Sequence, residues 1–128
     1  MEKKKKKTEF HIFSVVSDFE IYKDGARFLT PRIMDLVRAV HETGSILAAS
    51  KEVHIAYPKA WNMLNTLNRA AALPVVIRNH GGEKGGGTLV TPFGLKLLHR
   101  FDKLQASYDK FILNMEEGIQ DLCSLPLK

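Results

Sequence analysis

Apolar positions at helical spacing mark three stretches of the chain, at residues 31–43, 45–70 and 91–124. The first stretch is the clearest, because its apolar residues recur at i, i+3, i+4 and i+7. They are Ile33, Leu36, Val37 and Val40. Thr30-Pro31 supplies an N-cap and a first-turn proline, and Gly44 supplies a helix end. The pattern predicts an amphipathic helix with one buried face.

Residues 45–70 predict two further helices separated by a break. Ser45 is an N-cap for a short helix with a small apolar face, and Pro58 suits the first turn of the next helix. The apolar stripe of that second helix consists of Ala60, Trp61, Leu64 and Leu67. Its polar residues fall largely on other faces: Tyr57, Lys59, Asn62, Thr66 and Arg69. This arrangement is typical of a helix-turn-helix, although a purely structural helix pair is the alternative.

The environments of four residues in this region follow from the same pattern. Val53 and Ile55 are predicted to point inward from the break between the two helices. Trp61 is predicted to anchor the core and not to serve as a stacking platform, whereas Tyr57 is predicted to be the exposed aromatic residue.

A β-hairpin is predicted over residues 74–90. The β-branched run at 74–78 and Leu89-Val90 flank a segment with five glycines in the seven residues from Gly81 to Gly87. The segment lacks the Gly-Lys-Ser/Thr ending of a phosphate-binding P-loop. It is therefore either a plain connector or, as we favour after a helix-turn-helix, a wing whose Lys84 and bare backbone approach DNA phosphates.

A long helix is predicted over residues 91–124, because Thr91-Pro92 repeats the capping signature of the first helix. Its apolar residues alternate at spacings of three and four: Phe101, Leu104, Tyr108, Phe111, Met115 and Leu122, widened by Ile112 and Ile119. A stripe of this length extends beyond what a small domain covers, which favours a homodimer interface. The alternative is that the helix folds back over the N-terminal strands of its own chain.

The N-terminal part of the chain predicts extended structure. Residues 1–8 read as a disordered basic tail, and residues 9–17 fit a strand or a short helix. Asp24-Gly25 lies between the extended runs Phe19–Tyr22 and Ala26–Leu29, which is a hairpin signal. Residues 9–128 are therefore predicted to form a single domain, mainly α with small β-hairpins.

The net charge of +5 is concentrated at the N-terminus. Residues 1–7 contain five Lys and one Glu, a net charge of +4, so residues 8–128 carry only +1. Any affinity for nucleic acid must therefore come from locally placed cations. No apolar run is long enough for a bilayer span, no signal peptide is evident, and the single Cys123 cannot form an internal disulfide. These features predict a cytoplasmic protein that does not associate with a membrane.

Enzymatic function is not predicted. His41, His54, His80 and His99 are scattered over separate elements, and no nucleophile–base pattern accompanies them. The histidines and Cys123 do not show the spacing of metal ligands. The sequence therefore predicts no metal and no cofactor.

Two segments carry a family resemblance. They are AVHETGSILAASKEVHIAYPKAWNMLNTLN at residues 39–68 and PVVIRNHGGEKGGGTLVTPFGLKLL at residues 74–98. The most specific feature is the glycine-rich wing followed by L-x-T-P-x-G, at residues 89–94. Over residues 28–105 the chain resembles the N-terminal winged helix-turn-helix domain of the ModE-type molybdate-dependent regulators, which is similar to the LysR-type DNA-binding domain.

The resemblance implies a transcriptional regulator that binds double-stranded DNA as a homodimer, at a pseudo-palindromic operator. It implies a recognition helix at 57–70, a wing at 78–90 and dimerisation through terminal helices, and it suggests control of molybdate or metal uptake genes. The implied DNA-binding residues are Ser45, Tyr57, Lys59, Asn62, Thr66, Arg69, Arg78, Lys84, Gly85 and Thr88.

The chain departs from the family pattern at the start of the recognition helix. Ala56 and Pro58 stand where the family typically has a serine and a basic residue, and Glu83 adds an acid to the wing. The Mop-type molybdate-binding modules of full-length regulators have no counterpart in these 128 residues, so this chain is not expected to bind molybdate. The nearly neutral body keeps a second hypothesis open, a winged-helix module for protein–protein interaction.

Overall fold

Over residues 12–79 and 87–124, which are the residues that the structure describes, the computed structural model contains four helices and two antiparallel hairpins. In chain order these are β1 (Ile21–Lys23), β2 (Ala26–Leu29), α1 (Pro31–Thr43), α2 (Ile46–Glu52), α3 (Tyr57–Ala70), β3 (Val76–Asn79), β4 (Gly87–Val90) and α4 (Pro92–Ser124). The predicted fold class, mainly α with small hairpins and a long C-terminal helix, is confirmed. None of the helices within the described ranges is long and apolar enough to cross a bilayer.

The chain divides into two compact units, whereas the sequence predicted one domain over residues 9–128. One unit comprises Phe19–Gln105, and the other comprises the residues up to Asp18 together with those from Ala106 onward. We refer to them as the winged-helix unit and the terminal unit.

The hairpin β1–β2 confirms the Asp24-Gly25 signal. Asp24 (φ 52°) and Gly25 (φ 82°) both adopt left-handed backbone conformations between the paired Lys23 and Ala26. Two consecutive positive φ angles are the requirement of the two-residue turn that Asp-Gly favours, because its twist matches that of the strands. The first strand begins at Ile21, two residues later than predicted.

The limits of α1 are set by the residues predicted to cap it. Thr30 Oγ1 accepts a hydrogen bond from the Ile33 N–H (3.1 Å), and Pro31 occupies the first turn. At the end of α1, Gly44 donates its N–H to the Val40 carbonyl (2.7 Å). Its φ angle of 73° is left-handed, and residues with a Cβ rarely adopt that conformation.

A charged pair joins α1 to α4 within the winged-helix unit. Arg38 donates two hydrogen bonds to the Asp102 carboxylate, at 2.9 and 3.0 Å. These bonds lower the pKa of Asp102 below its ordinary value. Both side chains remain about two-fifths exposed, so the pair orients the helices more than it stabilises them.

The core of the winged-helix unit is built from the apolar faces of all its elements. Its largest fully buried apolar side chains come from α1, from α3 and from the residue before β3: Met34, Leu36, Val37, Val40, Leu64, Leu67 and Val75. The predicted stripe of α1 contributes three of them, while Ile33 is only partly buried. One face of α3 is thereby fixed inward, and its other faces remain available for function.

The terminal unit corrects the strand predicted for residues 9–17. Residues 12–17 form no regular strand, and residues 9–11 lie outside the described part of the chain. The extended segment follows α4, because the Phe13 N–H donates to Gln120 Oε1 (3.3 Å) and the Val15 N–H donates to Glu116 Oε2 (3.0 Å). Side chains of a helix cannot provide the repeating backbone ladder of a sheet, so the segment is extended without being a strand.

Candidate nucleic-acid interface

Helix α3 separates an apolar buried face from polar exposed faces, as its sequence predicted. Ala60, Leu64 and Leu67 are buried. All five polar residues of the prediction are exposed: Tyr57, Lys59, Asn62, Thr66 and Arg69. The helix contains two cations and no acidic residue. A positively charged, polar helix face is what binding to a DNA groove requires.

The start of α3 lacks a side-chain cap. Ala56 occupies the N-cap position and makes no side-chain hydrogen bond, while Pro58 occupies the first turn. The first amides of this helix are consequently not satisfied by a capping side chain, in contrast to those of α1.

Helix α2 and the break after it have the predicted form. Ser45 Oγ accepts from the Ala48 N–H (3.1 Å), so the Ser45 oxygen is engaged as the N-cap of α2. Ile55 is buried and Val53 partly buried, which confirms their inward orientation. His54 adopts a left-handed conformation (φ 58°) between them, which produces the sharp change of direction into α3.

Asn68 joins α3 to the wing, and sequence reasoning did not identify it. Its Oδ1 accepts from the Val75 N–H (2.8 Å) and the Val76 N–H (3.1 Å), while its Nδ2 donates to the Val76 carbonyl (2.9 Å). The available signal was a lone amide on the core side of the last helical turn, a few residues before a β-branched run. This side chain holds the first residues of the wing against α3.

Trp61 links α3 to the wing in a second way. Its ring packs against the core, as predicted, but the Arg78 guanidinium also lies 4.5 Å from the ring centroid. Tyr57, which is 41% exposed, stands edge-on to the same ring at 6.4 Å. The predicted core role of Trp61 is thus joined by a contact with Arg78 that the sequence did not indicate. The stack holds a wing cation close to the start of α3.

The wing strands β3 and β4 pair in the register Val76↔Val90, Ile77↔Leu89 and Arg78↔Thr88. Thr88 was predicted to contact DNA, but its side chain is 4% exposed and its N–H donates to the Gly44 carbonyl (2.9 Å). We correct that prediction, because a buried hydroxyl cannot reach a phosphate. Lys84 and Gly85 lie outside the described residues.

The L-x-T-P-x-G segment is a structural junction between β4 and α4. Thr91 Oγ1 accepts from the Gly94 N–H (2.9 Å) as the N-cap of α4, and it also donates to the Pro74 carbonyl (2.6 Å). Gly94 lies against Val75, where a Cβ would meet the Val75 carbonyl oxygen at 2.4 Å. The motif thus fixes the long helix to the base of the wing.

The apolar stripe of α4 is divided between core and surface. Phe101 was predicted at a dimer interface, but it is 3% exposed and packs on Phe19 with ring centroids 5.5 Å apart. We correct that assignment, because Phe101 belongs to the core of its own chain. Tyr108 donates a hydrogen bond to Ser17 within the terminal unit.

Three residues of the predicted interface are exposed: Leu104, Phe111 and Met115. Ile119, which widens the stripe, is exposed as well. The side chain of Leu122 lies outside the described part of the structure.

Comparison with curated proteins identifies relatives of this chain. The molybdenum-pterin-binding protein MopB of Rhodobacter capsulatus is 36% identical over 97 residues, which cover 76% of this chain and 36% of MopB. The transcriptional regulator ModE of Haemophilus influenzae is 33% identical over 84 residues, which cover 66% of this chain and 33% of ModE. The resemblance to the ModE-type regulators is confirmed. No protein-family model matches the chain.

The ModE-type similarity extends over part of each relative only. The chain spans about a third of the length of the curated relatives that it matches. The DNA-binding transcriptional dual regulator ModE of Escherichia coli K12 is 34% identical over 77 residues, which cover 60% of this chain and 29% of that protein. These ModE-type relatives are named as regulators and molybdenum-pterin-binding proteins, not as enzymes.

Solved structures share the fold at low sequence identity. Two mutants of MepR from Staphylococcus aureus superpose with TM-scores of 0.55 and 0.52, at 15% and 16% identity. Each comparison covers 74% of this chain and 74% or 72% of the MepR chain. They support the winged-helix architecture of this chain.

Proposed function

We propose that this chain is a transcriptional regulator that binds double-stranded DNA through α3 and the wing. The observation that carries the proposal is the joined surface of α3 and β3, where exposed Lys59, Asn62 and Arg69 lie on a helix without acids and Arg78 is held beside Tyr57 by Trp61. The names of the ModE relatives support the same function.

The proposed roles follow from side-chain chemistry. Asn62 is suited to the adenine edge, and Lys59 to a guanine edge or a phosphate. Tyr57, Arg69, Arg78 and Ser45 are assigned to the sugar–phosphate backbone, together with Lys84 and Gly85 of the wing. Thr66 is assigned to the same side of α3 as Asn62 and Lys59, which is the side that faces the bases. The Arg78 guanidinium loses less freedom on binding than a free side chain would, because Trp61 already orients it.

We propose that the binding species is a homodimer formed through α4. The supporting observation is a row of exposed large apolar side chains at spacings of four, Phe111, Met115 and Ile119, of which Phe111 is 60% exposed. Ile12 and Val16, in the segment beside α4, are more than three-quarters exposed. Apolar rows of this kind are typical of a helix–helix interface. A dimer would present two recognition helices, about 34 Å apart, to successive major grooves of a pseudo-palindromic operator.

The dimer is tested with two glutamate substitutions, Phe111→Glu and Met115→Glu. Charged residues cannot be desolvated in an apolar interface, so the double variant is expected to sediment as a monomer where the unmodified chain sediments as a dimer. Lys110→Glu is the control on the same helix turn, because Lys110 is exposed outside the row. A monomeric unmodified chain would contradict the proposed homodimer.

The regulated genes are proposed from the relatives alone. Because the matched proteins carry molybdenum-related names, genes for molybdate or metal uptake are the proposed targets. Binding of molybdate to this chain is not proposed.

DNA binding is tested by fluorescence anisotropy on a random duplex of about 30 base pairs, long enough for two half-sites. If the dimer contacts about six phosphates, log K falls with log salt at a slope of about −5. Arg78→Gln is expected to weaken binding about tenfold on every sequence and to flatten that slope by about one to two units. Lys103→Gln removes an equal charge from the exposed surface of α4 and is expected to leave both quantities unchanged.

The same assay distinguishes the second candidate function, a protein-interaction module. The net charge of only +1 over residues 8–128 favours that candidate. If removal of residues 1–7 abolishes binding, and Arg78→Gln has no effect, then the basic tail alone binds DNA and the proposed interface is excluded.

A further inference from the structure

An open cleft of about 370 Å³ lies in the winged-helix unit between α3, the β1–β2 hairpin and the start of α1. Its floor is apolar and consists of Phe28, Ile33, Met63, Leu67 and Ala70. The Lys23 ammonium donates a hydrogen bond to the Ala70 carbonyl and so ties the hairpin to the end of α3. A recognition helix does not need an apolar hollow beside its polar face to bind DNA, so this cleft calls for a separate explanation.

The rim of the cleft is polar and positively charged. It is formed by Arg27, Lys59, Asn62 and Thr66, and none of the described residues that line the cleft is acidic. Arg27 donates its Nε hydrogen to Glu20 (2.9 Å), which orients the guanidinium and leaves its two Nη groups outside that bond. The rim therefore offers the Lys59 ammonium, the Nη groups of an Arg27 that is already paired with Glu20, an amide and a hydroxyl above a surface that favours hydrocarbon.

This combination fits one class of ligand. Small-molecule sites are mostly apolar, with a few placed polar groups, and their volumes begin at about 300 Å³. The floor would cover a ring-sized apolar body, and Arg27 and Lys59 would pair with an anionic group at the opening. An inorganic oxyanion would leave the apolar floor unused. We propose that the cleft binds a small organic acid with one anionic group on an aromatic or compact apolar body.

Such a ligand would exclude DNA. Lys59, Asn62 and Thr66 line the cleft and are also assigned to the DNA interface. A bound acid would neutralise Lys59 and cover the side chains of Asn62 and Thr66. The acid and the DNA duplex could therefore not bind the same protein molecule at the same time. This regulatory part rests on the proposed function, whereas binding of the acid to the cleft does not.

Ligand binding is tested on the full chain without DNA, by titrating 1-naphthoate into the ¹⁵N-labelled protein and following backbone amide shifts. The neutral 1-naphthalenemethanol has the same ring system and serves as the matched probe. With about thirteen non-hydrogen atoms, naphthoate is expected to saturate shifts at residues 27–28 and 59–70 with a Kd of about 1 mM or tighter. The neutral alcohol is expected to bind at least about tenfold more weakly, because it cannot pair with Arg27 and Lys59.

Two variants locate the site. Lys59→Gln is expected to weaken naphthoate binding about three- to tenfold and to leave the alcohol unaffected, while Lys103→Gln, an equal loss of charge on α4, changes neither. Ala70→Leu fills the floor and is expected to abolish binding of both probes, with amide shifts of α2 and α4, which do not line the cleft, unchanged as the check on folding. Equal affinity for both probes, shifts centred on another element, or no saturation at about 5 mM would overturn the proposed site.

The competition is measured separately. Saturating naphthoate is expected to reduce the affinity for the random duplex of the unmodified chain and not that of Ala70→Leu. If naphthoate saturates the cleft and DNA affinity does not change, the exclusion is wrong while the site stands. If no duplex binds at all, the proposed function fails, and the titration of the free protein still decides the site.

Discussion

Replacing Gly94 with alanine is expected to lower the free energy of unfolding by about 3 kcal/mol, because there is no space for a Cβ at this position. The added atom would lie 2.4 Å from the Val75 carbonyl oxygen, 2.8 Å from Val90 Cγ1 and 3.0 Å from Val75 Cγ1. The carbonyl cannot retreat without cost, because it accepts the Thr91 N–H at 2.9 Å. Either the start of α4 or the base of the wing must move.

Gly118→Ala is the matched control for this substitution. Gly118 lies in the same helix, and a Cβ there meets no atom within 4 Å. Alanine removes the backbone entropy cost of a helical glycine, so this variant is expected to be more stable by about 0.5–1 kcal/mol. Urea denaturation at one protein concentration measures the free energy of unfolding of both variants. Equal stabilities for Gly94→Ala and the unmodified chain would show that the junction is looser than these distances indicate.

Replacing Asn68 with alanine is expected to cost about 2 kcal/mol, the second-largest effect that we predict. Three backbone groups, the N–H groups of Val75 and Val76 and the Val76 carbonyl, lose their partner in one step. Val75 is fully buried and Val76 nearly so, so water replaces the amide poorly. Asn68→Asp keeps the acceptor and loses the donor, and it is expected to have an intermediate effect.

Asn65→Ala provides the comparison, because Asn65 is an exposed amide on the same helix. Its effect on stability is expected to stay within about 0.5 kcal/mol. The same urea titrations compare the variants, and amide exchange at Val75 and Val76 reports whether the wing detaches locally in Asn68→Ala. If both alanine variants behave alike, Asn68 does not hold the wing.

The elements that could be predicted from the sequence are those specified by neighbouring residues. Thr30-Pro31 and Thr91-Pro92 each mark a helix start through a side chain that bonds an amide three residues later. Asp24-Gly25 specifies its turn through two backbone angles. The segment at 12–17 has strand-like composition but pairs with no strand in the described part of the chain, and pairing is a property of the whole fold.

The candidate site could be predicted only where helical periodicity determines exposure. The polar face of α3 followed from a spacing of 3.6 residues, and its exposure agrees. In β4 the alternation is opposite to the one that polarity suggests, because Thr88 is buried and Leu89 is half exposed. The register of a strand depends on the strand that it pairs with. If the predicted register is wrong by one residue, every side chain is assigned to the wrong face of the sheet. The contacts of Asn68 and Trp61 join separate elements, so the sequence near each residue does not specify its partner.

The wing is attached to the rest of the molecule at both of its strands, through Asn68 at the start of β3 and through the bond from the Thr88 N–H to the Gly44 carbonyl in β4. The alignment of the two strands therefore does not depend on the residues that connect them. Closure entropy grows only slowly with length, about 0.6 kcal/mol per doubling. Insertions or exchanges between the two strands are thus expected to accumulate at low cost, so that related chains can differ there in length and composition while sharing one scaffold.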